Sequence, residues 1–188
     1  MRILTDLEII ESVQSGNQSD FSILVDRYKN KAFSLLLRML KNEMEAEEVL
    51  QDCFLKAYKN LRNFRQESKF STWFYKIVYN TALTRLSAQK RKIENEMASI
   101  DEFYNLKSEY DFRSAEKKDV SRFIKEMIDK LPVNYASVIN MYYIEGMSCE
   151  EIGEVMEISL TNVKVLLHRS RNVLKDLLLK NNYAEEML

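Results

Sequence analysis

The sequence predicts an all-α protein of two small helical domains joined by a flexible linker, the second a helix-turn-helix domain. Only three Gly and one Pro occur in 188 residues, which leaves little turn chemistry for a protein built from strands. Leu, Glu, Lys and Met are abundant, as is typical of helices. An apolar content of 46% is enough for packed cores.

The first domain is expected to contain three helices. Apolar residues recur at intervals of three and four over 20–40 and again over 44–61, as one buried helix face requires. A third helix is predicted from about Thr72 to Gln89, with Ser71 or a neighbour as its N-cap. The stretch 62–70 is polar and basic and is predicted to be a loop, the kind of segment that often carries binding function.

The helical periodicity disappears after the third helix. Residues 93–117 are therefore predicted to form the linker between a first domain, 1–92, and a second domain, 118–188. Helical pattern resumes near Val120, and Pro132 is expected in the first turn of a new helix.

The second domain has a helix-turn-helix pattern. A helix is predicted over 133–144, and Ser148 is predicted to cap the next helix, with Glu151 at capping-box spacing. That helix, Cys149–Met156, is short, and a tight turn separates it from a longer one, Leu160–Leu179, which carries polar and cationic residues. This layout places the longer helix in a DNA major groove. The alternative is a generic helical hairpin with a solvated basic face.

Aromatic and basic side chains alternate through 64–80. Stacking on aromatic rings combined with attraction to cations is how proteins hold single-stranded nucleic acid. We expect Phe64 and Phe70 to be apolar walls around a flipped base, and Phe74 to be more buried than Trp73, which packs behind the loop. The alternative is an aromatic core stripe with solvated lysines, because aromatic residues are common in cores.

Charge is unevenly distributed along the first domain. Residues 54–92 carry ten Lys or Arg against one acid, whereas residues 43–52 carry five acids and no cation. The basic stretch suits phosphate, and the acidic stretch suits a basic protein surface. The net charge of -1 argues against a general nucleic-acid binder.

No pattern for catalysis or for a metal or cofactor site is present, and an enzyme is not expected. Cys53 and Cys149 lie 96 residues apart, without the paired spacing of a zinc or redox motif. The sole histidine, His168, has no carboxylate or thiol partner at catalytic spacing. No apolar run is long enough to span a bilayer, and residues 1–19 lack the features of a signal peptide, so a cytoplasmic location without membrane insertion is expected.

The chain resembles bacterial sigma factors of the extracytoplasmic-function (ECF) class of the sigma-70 family, over residues 18–92 and 118–180. Three stretches carry the resemblance, in the family's order: 46–58 (AEEVLQDCFLKAY), 64–80 (FRQESKFSTWFYKIVYN), and 145–153 with 163–171 (EGMSCEEIG and VKVLLHRSR). Each motif alone is moderately specific, and the three together at this spacing are strongly specific.

The resemblance implies a transcription initiation factor that binds core RNA polymerase and directs it to promoters, with an anti-sigma factor as a further partner. The implied polymerase contacts are Glu47, Glu48, Gln51, Asp52, Leu55 and Tyr58. The implied contacts to the melted -10 strand are Arg62, Phe64, Arg65, Lys69, Phe70, Ser71, Thr72, Trp73, Lys76 and Asn80. The implied contacts to the -35 duplex are Ser159, Thr161, Asn162, Lys164, Val165, His168, Arg169 and Arg171.

The predicted recognition helix departs from the family pattern at two positions. Val165 and Leu166 stand where the family often has a small polar residue and an arginine. The -35 sequence is therefore expected to be unusual, with more weight on Asn162, Lys164 and Arg169.

Two other functions compete with this interpretation. A helix-turn-helix regulator that binds duplex DNA as a dimer would account for residues 132–180 but would leave 43–52 and 64–80 without a role. A helical adaptor that does not bind DNA would make the coincidence of three motifs accidental.

Overall fold

The computed structural model describes residues 4–97 and 120–180, and within these residues the secondary structure is helical, without strands. Eight α-helices occur there: α1 Asp6–Gln14, α2 Phe21–Leu40, α3 Glu43–Asn60, α4 Phe70–Met97, α5 Val120–Asp129, α6 Val133–Ile139, α7 Cys149–Met156 and α8 Leu160–Lys180. Helices α1–α4 form the amino-terminal half and α5–α8 the carboxyl-terminal half. The prediction of an all-α protein with two helical regions is confirmed. None of the described helices has the length and apolar character needed to cross a membrane.

Helix α4 starts earlier and ends later than predicted. The Trp73 N–H donates to the Lys69 carbonyl at 3.1 Å, so the helical hydrogen bonds begin at Lys69 and the expectation of Ser71 as N-cap is wrong. The buried ring of Phe70 holds this first turn against the core. At its other end α4 reaches Met97, inside the predicted linker, and the linker residues 98–117 lie outside the described part of the chain.

The sequence reading missed helix α1. Its N-cap is Thr5, whose hydroxyl accepts from the Glu8 N–H at 3.3 Å while the Glu8 carboxylate accepts from the Thr5 N–H at 2.8 Å. This capping box is legible in the sequence as Thr-x-x-Glu before an apolar pair, Ile9 and Ile10, and both of those are buried. The signal for α1 was therefore present.

The carboxyl-terminal half follows the prediction closely, with one change of helix type. The expected helix over 133–144 is α-helical only to Ile139, and Asn140–Ile144 forms a π-helical turn. Pro132 stands at the N-cap, one position before α6, rather than in its first turn. The capping box of α7 is confirmed, because Glu151 N–H donates to the Ser148 hydroxyl at 3.2 Å and Ser148 N–H donates to the Glu151 carboxylate at 2.8 Å.

A close approach of backbone sets the angle between α7 and α8. A Cβ at Gly153 would lie 3.0 Å from the Ile158 carbonyl oxygen and 3.7 Å from Val163 of α8. A Cβ contact of 3.0 Å to a backbone oxygen is tighter than almost all such contacts in proteins, so a side chain here would push the turn apart and glycine permits the close approach. The turn packs the buried Ile152 of α7 and Val163 and Leu167 of α8 into one core and leaves the opposite face of α8 exposed.

The two halves pack against each other, with α2 against α6 and α4 against α7. The Tyr79 hydroxyl of α4 donates to Asn134 Oδ1 of α6 at 3.3 Å. The buried Arg38 of α2 places Nε 3.2 Å from the Asp129 carboxylate of α5. The helix that carries most of the predicted -10 contacts is therefore also an interdomain helix.

Candidate nucleic-acid interface

One face of α3 is acidic and exposed. It comprises five of the six residues predicted to contact polymerase: Glu47, Glu48, Gln51, Asp52 and Leu55. The opposite face is buried through small and apolar residues: Ala46, Val49, Cys53 and Ala57. Burial raises the pKa of the Cys53 thiol to about 11, so this cysteine is a neutral packing residue.

Two residues qualify the boundaries of this acidic face. Tyr58, the sixth predicted contact, is half-buried, and its ring packs edge-on against Phe21 with centroids 5.1 Å apart. The apolar periodicity over 44–61 places Met44 in the buried stripe, and that expectation is wrong, because Met44 is 81% exposed one turn before Glu48. It lies on the side of the helix that carries the acids.

The charges of α3 are not equally available to a partner. Arg85 of α4 holds Glu48 with two contacts, Nη2 to Oε1 at 2.9 Å and Nη1 to Oε2 at 3.1 Å. The hydrogen bond from Arg85 lowers the pKa of the Glu48 carboxyl, and the same bond raises the pKa of Arg85. Because part of the Glu48 charge is compensated within the chain, Asp52 presents the more available charge.

The aromatic residues of 64–80 form a core cluster. Phe64 and Phe70 are only 9% and 3% exposed, with ring centroids 6.2 Å apart and perpendicular planes. Phe70 also lies parallel to Phe74 at 5.8 Å. The expectation that Phe64 and Phe70 are open walls for a base is therefore wrong, because their ring faces are used in packing.

The predicted division between Trp73 and Phe74 is confirmed. Phe74 is fully buried, whereas Trp73 is partly exposed and lies 4.9 Å from the Phe64 ring, behind the loop. Trp73 is the ring of this cluster that lines a surface groove between α3 and α4.

That groove runs between α3 and α4 and has a volume of about 400 Å³. Three predicted -10 contacts line it: Trp73, Lys76 and Asn80. Residues that the sequence reading missed complete the lining: Lys56, Asn60, Ile77, Thr81 and Thr84. The groove thus combines an indole ring, two ammonium groups and two side-chain amides. Side chains of these types are chemically able to stack on a base, attract a phosphate and hydrogen-bond a base edge, respectively.

A second hollow, of about 710 Å³, lies between α1, α2 and the loop before α4. Of the predicted -10 contacts, Lys69, Phe70 and Ser71 line it. Asp6 of α1 also lines it, ion-paired to Arg27 of α2. Two other predicted contacts, Arg62 and Arg65, are exposed on the loop and line neither cavity.

Thr72 is the predicted -10 contact that the fold covers most completely, at 2% exposure. It lies beside the Glu151 carboxylate of α7, which Lys69 also contacts at 2.8 Å. Burial raises the pKa of Glu151, but hydrogen bonds from the Lys69 ammonium and the Ser148 N–H, together with the Lys69 charge, outweigh it, and the net pKa is lowered. Glu151 is therefore held as a carboxylate against the start of α4.

All eight residues predicted to contact the -35 duplex are exposed on or just before α8. They are Ser159, Thr161, Asn162, Lys164, Val165, His168, Arg169 and Arg171. Ser159 also caps the helix, because its hydroxyl accepts from the Asn162 N–H at 3.2 Å. At about 100° per residue the other seven span roughly half of the helix circumference. Opposite them, Val163, Leu167 and Ser170 are buried.

The two departures from the family pattern lie in different environments. Leu166 is half-buried and packs against the core. Val165 is 42% exposed, among the polar residues of the outer face. An exposed apolar side chain between Asn162 and His168 is suited to contact the methyl group of a thymine.

Arg171 is positioned by two tyrosines that the sequence reading did not select. Its guanidinium carbon lies 5.5 Å from the ring centroids of both Tyr142 and Tyr143. Those rings meet edge-on at 5.0 Å, and Tyr143 is 56% exposed. The π-helical turn at Asn140–Ile144 carries both tyrosines, and a change of helix type of this kind has no clear signal in sequence.

Comparison with known proteins agrees with the motifs and the geometry. Residues 24–92 match the Sigma-70 region 2 family and residues 123–174 match the family described as Sigma-70, region 4. The ECF RNA polymerase sigma-E factor of Haemophilus influenzae is 34% identical over 180 residues, which cover 92% of this chain and 95% of that protein. The chain belongs to the sigma-70 family, in the ECF class. It is a sigma factor, with a role in directing RNA polymerase.

Two further relatives extend the comparison. The ECF sigma factor SigW of Bacillus subtilis is 36% identical over 174 residues, covering 88% of this sigma factor and 92% of SigW. The sigma factor RpoE of Bartonella quintana, solved in complex with the anti-sigma factor NepR, has a TM-score of 0.66 at 19% identity, over 85% of this chain and 96% of that chain. At this level of identity, the comparison with RpoE shows a similar fold and nothing more.

Proposed function

We propose that this sigma factor reads the -35 element with the exposed face of α8, captures the melted -10 strand in the groove between α3 and α4, and docks on core RNA polymerase through the acidic face of α3. One observation carries the proposal. The exposed arc of α8 holds four cations, one histidine and no acid from Leu160 to Lys175, and the opposite side of α8 packs against α5, α6 and α7. A solvent-facing helix of this composition fits the major groove of DNA.

On the -35 duplex the contacts divide by chemistry. Asn162 is suited to pair with the edge of an adenine, and Val165 to contact a thymine methyl. Lys164 and Arg169 reach phosphates or guanine edges, and Arg171 reaches a phosphate from its place against the tyrosines. His168 serves as a phosphate or packing contact.

On the -10 strand the groove supplies both parts of single-strand recognition. The exposed edge of Trp73 stacks on a base, Lys56 and Lys76 attract the backbone, and Asn80 contacts a base edge. Loop residues Arg62 and Arg65 guide the strand towards the groove. Phe64 and Phe70 support the loop from inside the core and do not touch the base.

On core polymerase the partner surface is expected to be basic. Asp52 and Glu47 provide charge, while Met44 and Leu55 provide apolar contact on the same face. Charge complementarity of this kind steers association more than it adds affinity. An anti-sigma factor is proposed as a second protein partner, as for the Bartonella quintana relative.

Reconstitution with core RNA polymerase tests the proposal. Run-off transcription from a genomic promoter library should require the sigma factor and should yield transcripts that share -35 and -10 elements. The chain alone should not protect these promoters as duplex. Protection by the chain alone, without stimulated transcription, would instead identify a dimeric duplex-binding regulator.

A further inference from the structure

The contact between the two halves is electrostatically one-sided. Four ion pairs join them among the described residues, and in each the amino-terminal half supplies the cation. The pairs are Lys31–Glu145 at 3.4 Å, Arg38–Asp129 at 3.2 Å, Lys69–Glu151 at 2.8 Å and Lys76–Glu157 at 2.9 Å. The carboxyl-terminal half therefore offers acids to a surface that is otherwise suited to phosphate.

Two of these pairs use lysines that the sequence predicts to contact the -10 strand, Lys69 and Lys76, and Lys76 also lines the groove between α3 and α4. Lys69 and Lys76 are seven residues apart on one side of α4, a separation of about 10 Å along the helix axis. That distance is roughly three nucleotides of a strand at 3.4 Å each. Glu151 in the first turn of α7 and Glu157 at its C-cap place carboxylates on both lysines at once.

The same helix pair covers more of α4 than the two lysines. Thr72, Tyr75 and Tyr79 are at most 4% exposed. Thr72 lies against Glu151, and Tyr79 donates to Asn134 of α6. Burial and the neighbouring Glu145 raise the pKa of Tyr75, which keeps its phenol neutral. Two flanks of α4 are thus occupied by protein, while the groove at Trp73 stays open.

We propose that the acidic edge of α7, Glu151 with Glu157, is an internal ligand that occupies phosphate positions of the -10 site and competes with the promoter strand. The inference rests on the proposed -10 function of α4. Exposed ion pairs are individually weak, so the contact is reversible. It is intramolecular, however, so the acids are present at high effective concentration whenever the halves are closed. The apparent affinity of the chain for the strand is then the affinity of the open form multiplied by the fraction of molecules that are open.

The test compares full-length variants that remove these charges while keeping the fold. Glu151→Gln/Glu157→Gln removes both carboxylates, and glutamine at 151 preserves the capping box of α7. Glu150→Gln/Asp176→Asn is the matched control, because it makes the same change in net charge at two exposed positions outside these ion pairs. Glu157→Lys is a stronger variant, because it places a cation against Lys76.

Two measurements are made on each protein. Small-angle scattering reports the radius of gyration. Fluorescence anisotropy reports the affinity for a labelled 12-nucleotide top strand that spans the -10 element of a promoter selected by run-off transcription, with oligo(dT) of equal length as reference.

The double Glu→Gln variant should expand and bind the -10 strand about threefold to tenfold more tightly than the control, as expected if the closed form dominates. Salt weakens the ion pairs that close the wild-type chain as well as its binding to DNA. The strand affinity of wild type should therefore fall less steeply with salt than that of the double Glu→Gln variant, and the affinities of the two proteins should converge at high salt. Glu157→Lys should show both effects more strongly.

The inference would be overturned if the double variant and its control had equal radii of gyration and equal strand affinities. It would also be overturned if the expanded variants failed to bind the strand. The proposed function is judged separately by run-off transcription. Promoter-directed transcription with unchanged closure would leave that function intact and remove the competition by α7.

Discussion

Replacing Phe64 distinguishes packing from stacking at the loop before α4. The ring is 9% exposed and contacts Phe70 and Trp73, so Phe64→Ala empties a position inside the aromatic cluster. Truncation of a buried phenylalanine to alanine typically costs about 3–5 kcal/mol. Because one edge of the ring faces a loop that can relax, we expect about 3 kcal/mol.

That loss should be visible in thermal unfolding. For a chain of this size each kcal/mol lowers Tm by about 2–4 °C, so Phe64→Ala should lower Tm by about 6–12 °C. Phe64→Leu keeps most of the apolar volume and should cost less than about 1.5 kcal/mol. Its exposed neighbour provides the control, because Arg65→Ala should leave Tm almost unchanged.

Promoter opening by Phe64→Leu then decides the role of the ring. If Phe64 only packs, permanganate reactivity of thymines near the start site should stay within about threefold of wild type. A stacking ring that is lost typically costs about 1–3 kcal/mol per base, which is roughly tenfold to a hundredfold in opening. Suppose that Phe64→Leu is stable and binds core RNA polymerase but opens the promoter tenfold less well. That result would refute the assignment of Phe64 to the hydrophobic core.

Three further predictions concern the other surfaces. Asp52→Lys should slow association with core polymerase about tenfold or more, whereas Asp176→Lys, the same charge change on α8, should not; equal rates in a surface-binding assay would remove α3 from the docking surface. Lys164→Ala should weaken binding of the reconstituted holoenzyme to the -35 duplex almost uniformly across sequences and reduce the salt slope by about one, and an unchanged slope would contradict a phosphate contact. Tyr143→Ala should weaken duplex binding by the holoenzyme about twofold to fivefold, from a cation–π contribution of about 0.5–1 kcal/mol, and should have no effect in an Arg171→Ala background; additive losses would show that the tyrosine acts independently.

Much of the fold could be read from the sequence because helix signals are local. Ser148 and Glu151 cap α7 as their spacing predicts, and α2, α3 and α8 end within one residue of their expected limits. The sequence predicts that α4 starts at Thr72 because Ser71 is a good N-cap by propensity, whereas in the structure the burial of Phe70 places the first turn two residues earlier. Tertiary packing overrode local preference at that point.

The site was harder to predict than the fold, since a sequence does not reveal which face of an aromatic residue is covered. The exposed arc of α8 followed from periodicity, and its eight residues are exposed as expected. The burial of the aromatic residues in 64–80 did not follow from periodicity. Phe64 packs on Phe70 and Trp73, and Phe70 packs on Tyr28 of α2, a contact that only the tertiary fold creates. Lys56 and Asn60 joined the groove only through the packing of α3 on α4, which no local signal reports.

The division of promoter reading between α8 and the α3–α4 groove is tested most directly by base preference at each promoter position. Run-off transcripts from a library randomised across both elements would be sequenced for wild type, Asn162→Ala and Trp73→Ala, with the exposed Asn30→Ala on α2 as control. Asn162→Ala should relax preference at one or two -35 positions, where a good bidentate contact discriminates by about 1–3 kcal/mol, and leave the -10 preference unchanged. Trp73→Ala should relax the base preference at -10 positions and leave the -35 preference unchanged. Equal base preferences in all four proteins, or loss of -10 preference in Asn162→Ala, would contradict the account.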